Sequence, residues 1–102
     1  MTTPMTVTAI STLQARPGKE DLVRAQALSL IEPSLAEPGC SSYQPYQHPT
    51  RPGSWVVIET WDSRAAFEAH LNSPHLRQAF ATGAELLTGP PREQVFEVPD
   101  PL

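Results

Sequence analysis

A single cysteine, Cys40, stands in 102 residues. It excludes an internal disulfide and suits a reducing compartment. Positive charge is also scarce: 7 basic against 11 acidic residues give a net charge of −4. Nucleic-acid binding draws most of its affinity from a basic patch, and this chain has none to offer. Without any run of Lys and Arg there is no footprint for anionic lipid either. No apolar stretch approaches the roughly 20 residues that span a bilayer. The opening "MTTPMTVTAI" lacks the charged leader and apolar core of a signal peptide. The expectation is a soluble, cytoplasmic protein that touches neither nucleic acid nor membrane. Glycine is sparse as well, with 5 residues scattered singly, so no phosphate-cradling loop is present.

Proline is plentiful, at 12 residues in a chain of single-domain size. Most of these fall at element edges, as in "ARPGKED", "AEPGC" and "NSPHL". The core is expected over about residues 5–98, and residues 99–102, with Pro99 and Pro101, are expected to fray.

A partial period of two in "MTVTAISTLQ" predicts a strand over 5–14. A Pro-Gly turn and two acidic residues then open a helix over 19–36. Val23, Ala27, Leu30 and Ile31 form its seam, Leu22, Leu28 and Leu35 broaden it, and Pro33 should interrupt its last turn. A strand over 40–48 carries Pro45, which requires a sheet edge or a bulge. "SWVVIETW", 54–61, is the clearest strand. It puts Trp55, Val57, Glu59 and Trp61 on one face and Val56, Ile58 and Thr60 on the other. Asp62 or Ser63 caps the next helix, and Ser73-Pro74 starts another that carries Leu76, Ala79, Phe80, Gly83 and Leu87. "REQVFEV" makes a last strand. The order βαββαβ predicts a ferredoxin-like α+β fold: a four-stranded antiparallel sheet with helices on one face. The apolar residues of the other face predict a homodimer formed through the sheet.

Three rings draw attention. Trp61 ends its strand, and its indole N–H could donate to a substrate oxygen or simply find a partner in the core. His70 sits between Phe67 and Leu71 on an apolar helix side, where burial favours the neutral base. His75 opens the following helix, whose N-terminal partial charge opposes protonation. The two histidines are five apart across a proline, and no nearby Cys or Asp completes a ligand set, so no metal is expected. Glu59, if buried, needs a partner such as His70 or Arg77. Tyr43 and Tyr46 lie on opposite strand faces, so only one can reach a pocket, and Tyr46 is the one assigned to it.

"RPGKEDLV", "EPSLAEPGCSSY" and "ETWDSRAAFEAHLNSPHLRQAF" resemble, in this order, the antibiotic biosynthesis monooxygenase family of dimeric α+β barrels. The resemblance runs from about residue 6 to 98. It implies oxygenation of a phenol or hydroquinone to a quinone by O2, with no cofactor, in a pocket between sheet and helices. In that pocket the matching strand-end tryptophan is Trp61 and the helix residue facing the substrate is His70. Haem-degrading relatives use a histidine, a tryptophan and an asparagine where this chain has Phe80, His70 and no asparagine on its first strand. Polyketide-oxidising relatives carry an asparagine where this chain has Val57.

Phenolate oxidation needs a base, a donor to the anion and a dry pocket. His70 or His75 would be the base and Trp61 the donor. Glu59 and Val57 would touch substrate beside the walls Phe67, Leu71, Leu76 and Phe80. An isomerase using the same proton transfer, or a protein that binds a small aromatic without turning it over, are the other readings.

Overall fold

The computed structural model describes residues 5–99. Its elements are β1 (Met5–Gln14), α1 (Glu20–Ser29), α2 (Ile31–Leu35), β2 (Cys40–Gln47), β3 (Ser54–Trp61), α3 (Arg64–Leu71), α4 (Pro74–Leu86) and β4 (Arg92–Pro99). The strands pair antiparallel in the order β2-β3-β1-β4. β2 is therefore an edge strand, which explains how Pro45 is accommodated opposite Val57. β4 is the other edge. Its pairing includes Thr6 with Val98 and Met5 with Pro99, so Pro99 closes a strand rather than fraying. The proline's missing donor is harmless at the end of an edge strand. The rest of the expected frayed tail, 100–102, lies outside the described residues.

The predicted long helix breaks into α1 and α2 at Leu30, whose N–H bonds the carbonyls of Ala27 and Leu28. Pro33 is the cause, because it can give no hydrogen bond to Ser29 and its ring crowds that carbonyl. Within α2 it occupies the first turn, where its missing donor costs little. The seam along α1 and α2 is narrower than the sequence suggests. Val23 and Ala27 are buried, whereas Leu22, Leu28 and Leu35 are exposed. α3 and α4 start where serines cap them: Ser63 accepts from the Ala66 N–H and Ser73 from the Leu76 N–H.

Odd-numbered residues of β1 and β3 point to the helices. They build two separate packed clusters rather than one. Trp55 lies with Ala15, Val23, Ala27 and Leu87 at one end. Trp61 lies with Val7, Ala9 and Phe67 at the other. Val57 and Glu59 stand between the two tryptophans on the same strand face. That gap in the core is where the cavity forms.

Gly39 turns the chain from α2 into β2 at φ +84°, a conformation glycine adopts without strain. A Cβ there would stand 2.7 Å from the Ala66 Cβ of α3. Gly39→Ala should therefore lose at least about 2 kcal/mol, from the left-handed backbone and the clash together. Urea unfolding would measure this, and an unchanged midpoint would contradict the packing of this loop on α3.

Candidate functional site

A cavity of about 540 Å³ opens between the sheet and the helices. That is within the range of small-molecule sites, roughly 300–1,000 Å³. Its walls are mainly apolar and include Leu13, Val23, Leu30, Leu71, Leu76 and Leu87. Phe80 stands at the mouth, half exposed at 52%. The polar lining includes Tyr43, Glu59 and His70, with Glu93 contributed by β4.

Six of the residues proposed from the sequence line this space: Val57, Glu59, His70, Leu71, Leu76 and Phe80. Four do not. Phe67 packs with Val7, Ala9 and Trp61 in the cluster beyond the cavity. Trp61 is 0% exposed, and its indole N–H donates to Glu59 Oε1 at 3.0 Å. It is thus a partner of Glu59 and cannot donate to a substrate. His75 lies outside the lining, with its Nε2 on Glu37 at 2.9 Å. Tyr46 is exposed on the opposite sheet face, because it pairs with Val56, whereas Tyr43 pairs with Glu59. Tyr43 is the cavity tyrosine.

The residue the sequence reading missed is Glu37. It sits on the short turn between α2 and β2. That turn is held by hydrogen bonds from the Glu37 N–H to Ser34 and from the Asp62 N–H to Gly39. Its Oε2 lies 2.6 Å from His70 Nδ1 as well as on His75. No local signal announces it, since its partners lie 33 and 38 positions away.

His70 is 1% exposed and stands between two carboxylates. With Glu37 accepting, Nδ1 carries the proton, and a neutral ring leaves Nε2 free on the side of Glu59, 3.7 Å away. Trp61 backs the imidazole at a ring-centroid distance of 4.6 Å, and Tyr43 meets it edge-on at 5.7 Å. Burial pushes the Glu59 carboxyl up to about 7. The Trp61 N–H works against that rise, and the charges of Glu93 and Glu37 add to it. The Tyr43 phenol is raised too, by burial first and then by the charge of Glu59, so it stays a hydrogen-bond donor. Arg77, the other partner expected for Glu59, takes no part.

Glu59 makes the fold sensitive to pH. Its folded pKa of about 7 exceeds the ordinary 4.5, so ionisation opposes folding. The penalty is absent below pH 4.5, grows as pH rises through this interval, and is complete above 7. It amounts to something on the order of 3 kcal/mol. Glu59→Gln should stabilise the protein above neutrality and change little in acid. Denaturant melts of both proteins across this pH range would check it. Parallel pH profiles would contradict the burial of a charge there.

The donors Glu37, His70 and His75 all lie within 4.8 Å of one another. The expectation of no metal weighed only neighbours in sequence, and the fold supplies a third donor from another element. By donor type this set could hold a divalent ion.

Fold and cavity together define a ferredoxin-like α+β protein with an open, mainly apolar cavity between its sheet and its helices. The chain belongs to the antibiotic biosynthesis monooxygenase family, whose sequence profile matches residues 6–82. It is 38% identical over 90 residues to Rv0793 of Mycobacterium tuberculosis, provisionally named a monooxygenase, covering 88% of this chain and 86% of that one. The structure of Rv0793 superposes with a TM-score of 0.84 over 95% of both chains. YgiN of Escherichia coli, provisionally named a quinol monooxygenase, is 33% identical over 81 residues, 70% of this chain and 78% of that one. A Synechocystis protein with no assigned function, sll1783, is 30% identical over 84% of this chain, and the match spans 58% of its length.

Proposed function

We propose that the protein is a monooxygenase that converts a small phenol or hydroquinone to a quinone with O2, without a cofactor. The observation that carries this reading is a buried histidine, braced by Glu37, at the wall of a mainly apolar cavity. The membership of a family of named monooxygenases supports it.

His70 Nε2 takes the phenolic proton. The resulting imidazolium is held by Glu37 on one side and Glu59 on the other. The Tyr43 hydroxyl donates to the phenolate. This neutral phenol replaces Trp61 in the role expected from the sequence. The phenolate gives one electron to O2, and the radical pair joins to form a bond from oxygen to a ring carbon that carries a hydrogen, para to the hydroxyl in a phenol and ortho to it in a hydroquinone. The peroxide O–O bond then breaks as that carbon loses its hydrogen. One oxygen atom becomes the new carbonyl and the other leaves as water with the ring hydrogen and the proton returned by His70, so a phenol and O2 give a quinone and water, and a hydroquinone and O2 give a hydroxyquinone and water. Apolar walls exclude solvent while charge moves.

Oxygen uptake with hydroquinones and polycyclic phenols, together with mass spectrometry of the product, tests this. Incorporation of one atom of labelled O2 is the expected result. Conversion that survives strict anaerobiosis would move the protein to the isomerase reading. Tight binding without any product would make it a carrier.

A homodimer through the open sheet face belongs to the same proposal. Tyr46, Phe96 and Val98 are exposed there, beside half-buried Ile10, Val56 and Ile58. An apolar face of this kind needs covering, and a second copy of the same sheet matches it. Phe96→Asp should turn a dimer into a monomer in analytical ultracentrifugation. A wild-type monomer would contradict the pairing. Among the described residues no helix is long and apolar enough to cross a membrane. The free Cys40 fits a cytoplasmic setting.

A further inference from the structure

We infer that Glu37, His70 and His75 form a binding site for a divalent transition ion of the zinc class, and that the ion fixes His70 in the tautomer opposite to the one catalysis uses. Three donors from three separate elements converge: Glu37 on the turn before β2, His70 on α3 and His75 on α4. Two imidazoles and a carboxylate are the donor set of many zinc and non-haem iron(II) sites, and nitrogen donors favour such ions over magnesium or calcium.

The present contacts are hydrogen bonds, at 2.6 Å for His70 Nδ1 and 2.9 Å for His75 Nε2, both to Glu37 Oε2. Donors around a tetrahedral ion stand about 3.3 Å apart, given metal bonds of roughly 2.05 Å. Glu37 Oε2 therefore has to draw back by about 0.7 Å from the 2.6 Å contact and about 0.4 Å from the 2.9 Å contact, while the two imidazole nitrogens, within 4.8 Å of each other, close toward that same spacing. The movable members allow it, since the Glu37 and His75 side chains are 15% and 23% exposed while His70 is fixed at 1%. Neither Glu37 nor His75 lines the cavity.

Glu59 stands behind the His70 ring, on the side away from the ion. His70 Nε2 faces Glu59 Oε1 at 3.7 Å, so an ion on Nδ1 obliges Nε2 to carry the ring proton and point it at a carboxylate. The nitrogen that serves as base in the proposed reaction is then occupied. The ion and the base function exclude one another, and this consequence rests on the reading of His70 given above. The site itself rests on geometry alone.

The test uses the full chain, stripped with a chelator and titrated with Co(II) or Zn(II) alone. Co(II) should bind one to one, in the micromolar range or tighter, with the intense visible d–d bands of a low-coordinate nitrogen and oxygen site. Glu37→Ala and His75→Ala should each weaken binding at least about 100-fold, since loss of even an outer-shell partner costs 10–100-fold. His48→Ala, on the far turn, should not alter it. Thermal melts establish that the variants fold. Long-range ¹H–¹⁵N spectra of the histidine rings should show the His70 proton on Nδ1 without metal and on Nε2 with Zn(II), whether or not a substrate is found. Absence of saturable one-to-one binding, or binding unchanged in both variants, overturns the site. Binding that leaves the proton on Nδ1 overturns the tautomer switch while the oxygenase reading stands.

Discussion

His70→Gln should lower kcat by about 10²–10⁴-fold, the usual contribution of a positioned general base, while the protein remains folded. The amide can occupy the space of the ring and keep a hydrogen bond to Glu37, but it cannot take a proton. Glu37→Gln should lower kcat over a similar range for a different reason. A neutral amide no longer fixes the proton on Nδ1 and no longer stabilises the imidazolium, which is the role of the aspartate in a catalytic triad. His75→Gln should act more weakly, because His75 touches Glu37 and lies outside the cavity lining. This ranking distinguishes the geometry from the sequence expectation, in which either histidine could be the base. Steady-state kinetics on the three variants would measure it. Equal losses at His70 and His75 would contradict it.

Phe67→Ala should destabilise the fold by about 3–5 kcal/mol, the range for emptying an aromatic site in a core. The ring is 3% exposed and packs on Val7, Ala9 and Trp61. It does not line the cavity, so the loss should appear in stability with little change in KM for any substrate. The tight cluster also backs Trp61, whose indole both holds Glu59 and stacks beside His70. Chemical denaturation would read the change. A near-neutral result would mean that α3 presents a different face to the sheet.

The topology was legible because each of its signals is local. "SWVVIETW" declares a strand by composition, and its alternation correctly divided buried from outward residues. Ser63 and Ser73-Pro74 declare helix starts through capping chemistry that involves only the next three residues. Pro45 asked for an edge or a bulge, and the βαββαβ order placed β2 at the edge. The site was legible only in part because its remaining determinants are long-range. Val57, Glu59 and Trp61 share one strand face, yet two line the cavity and one is sealed from it. The difference depends on which stretch of β3 the helices cover. The choice between Tyr43 and Tyr46 depends on the register between β2 and β3, with a shift between Cys40 and Ser42 that composition does not signal. Glu37 looked like a turn residue before Pro38-Gly39. Only the closing of that turn against α3 brings it to His70. The exposed Leu22, Leu28 and Leu35 mark the limit of counting apolar residues, since a helix on a small domain buries a narrow stripe.

The most direct measurement is a crystal structure of the protein with a hydroquinone bound under anaerobic conditions. The account predicts one ring lying flat in the cavity, with a phenolic oxygen about 2.6–3.2 Å from His70 Nε2, the Tyr43 hydroxyl on the same oxygen, and Glu37 still on Nδ1. A hydroquinone bound elsewhere, or a cavity filled by collapsed side chains, would contradict it.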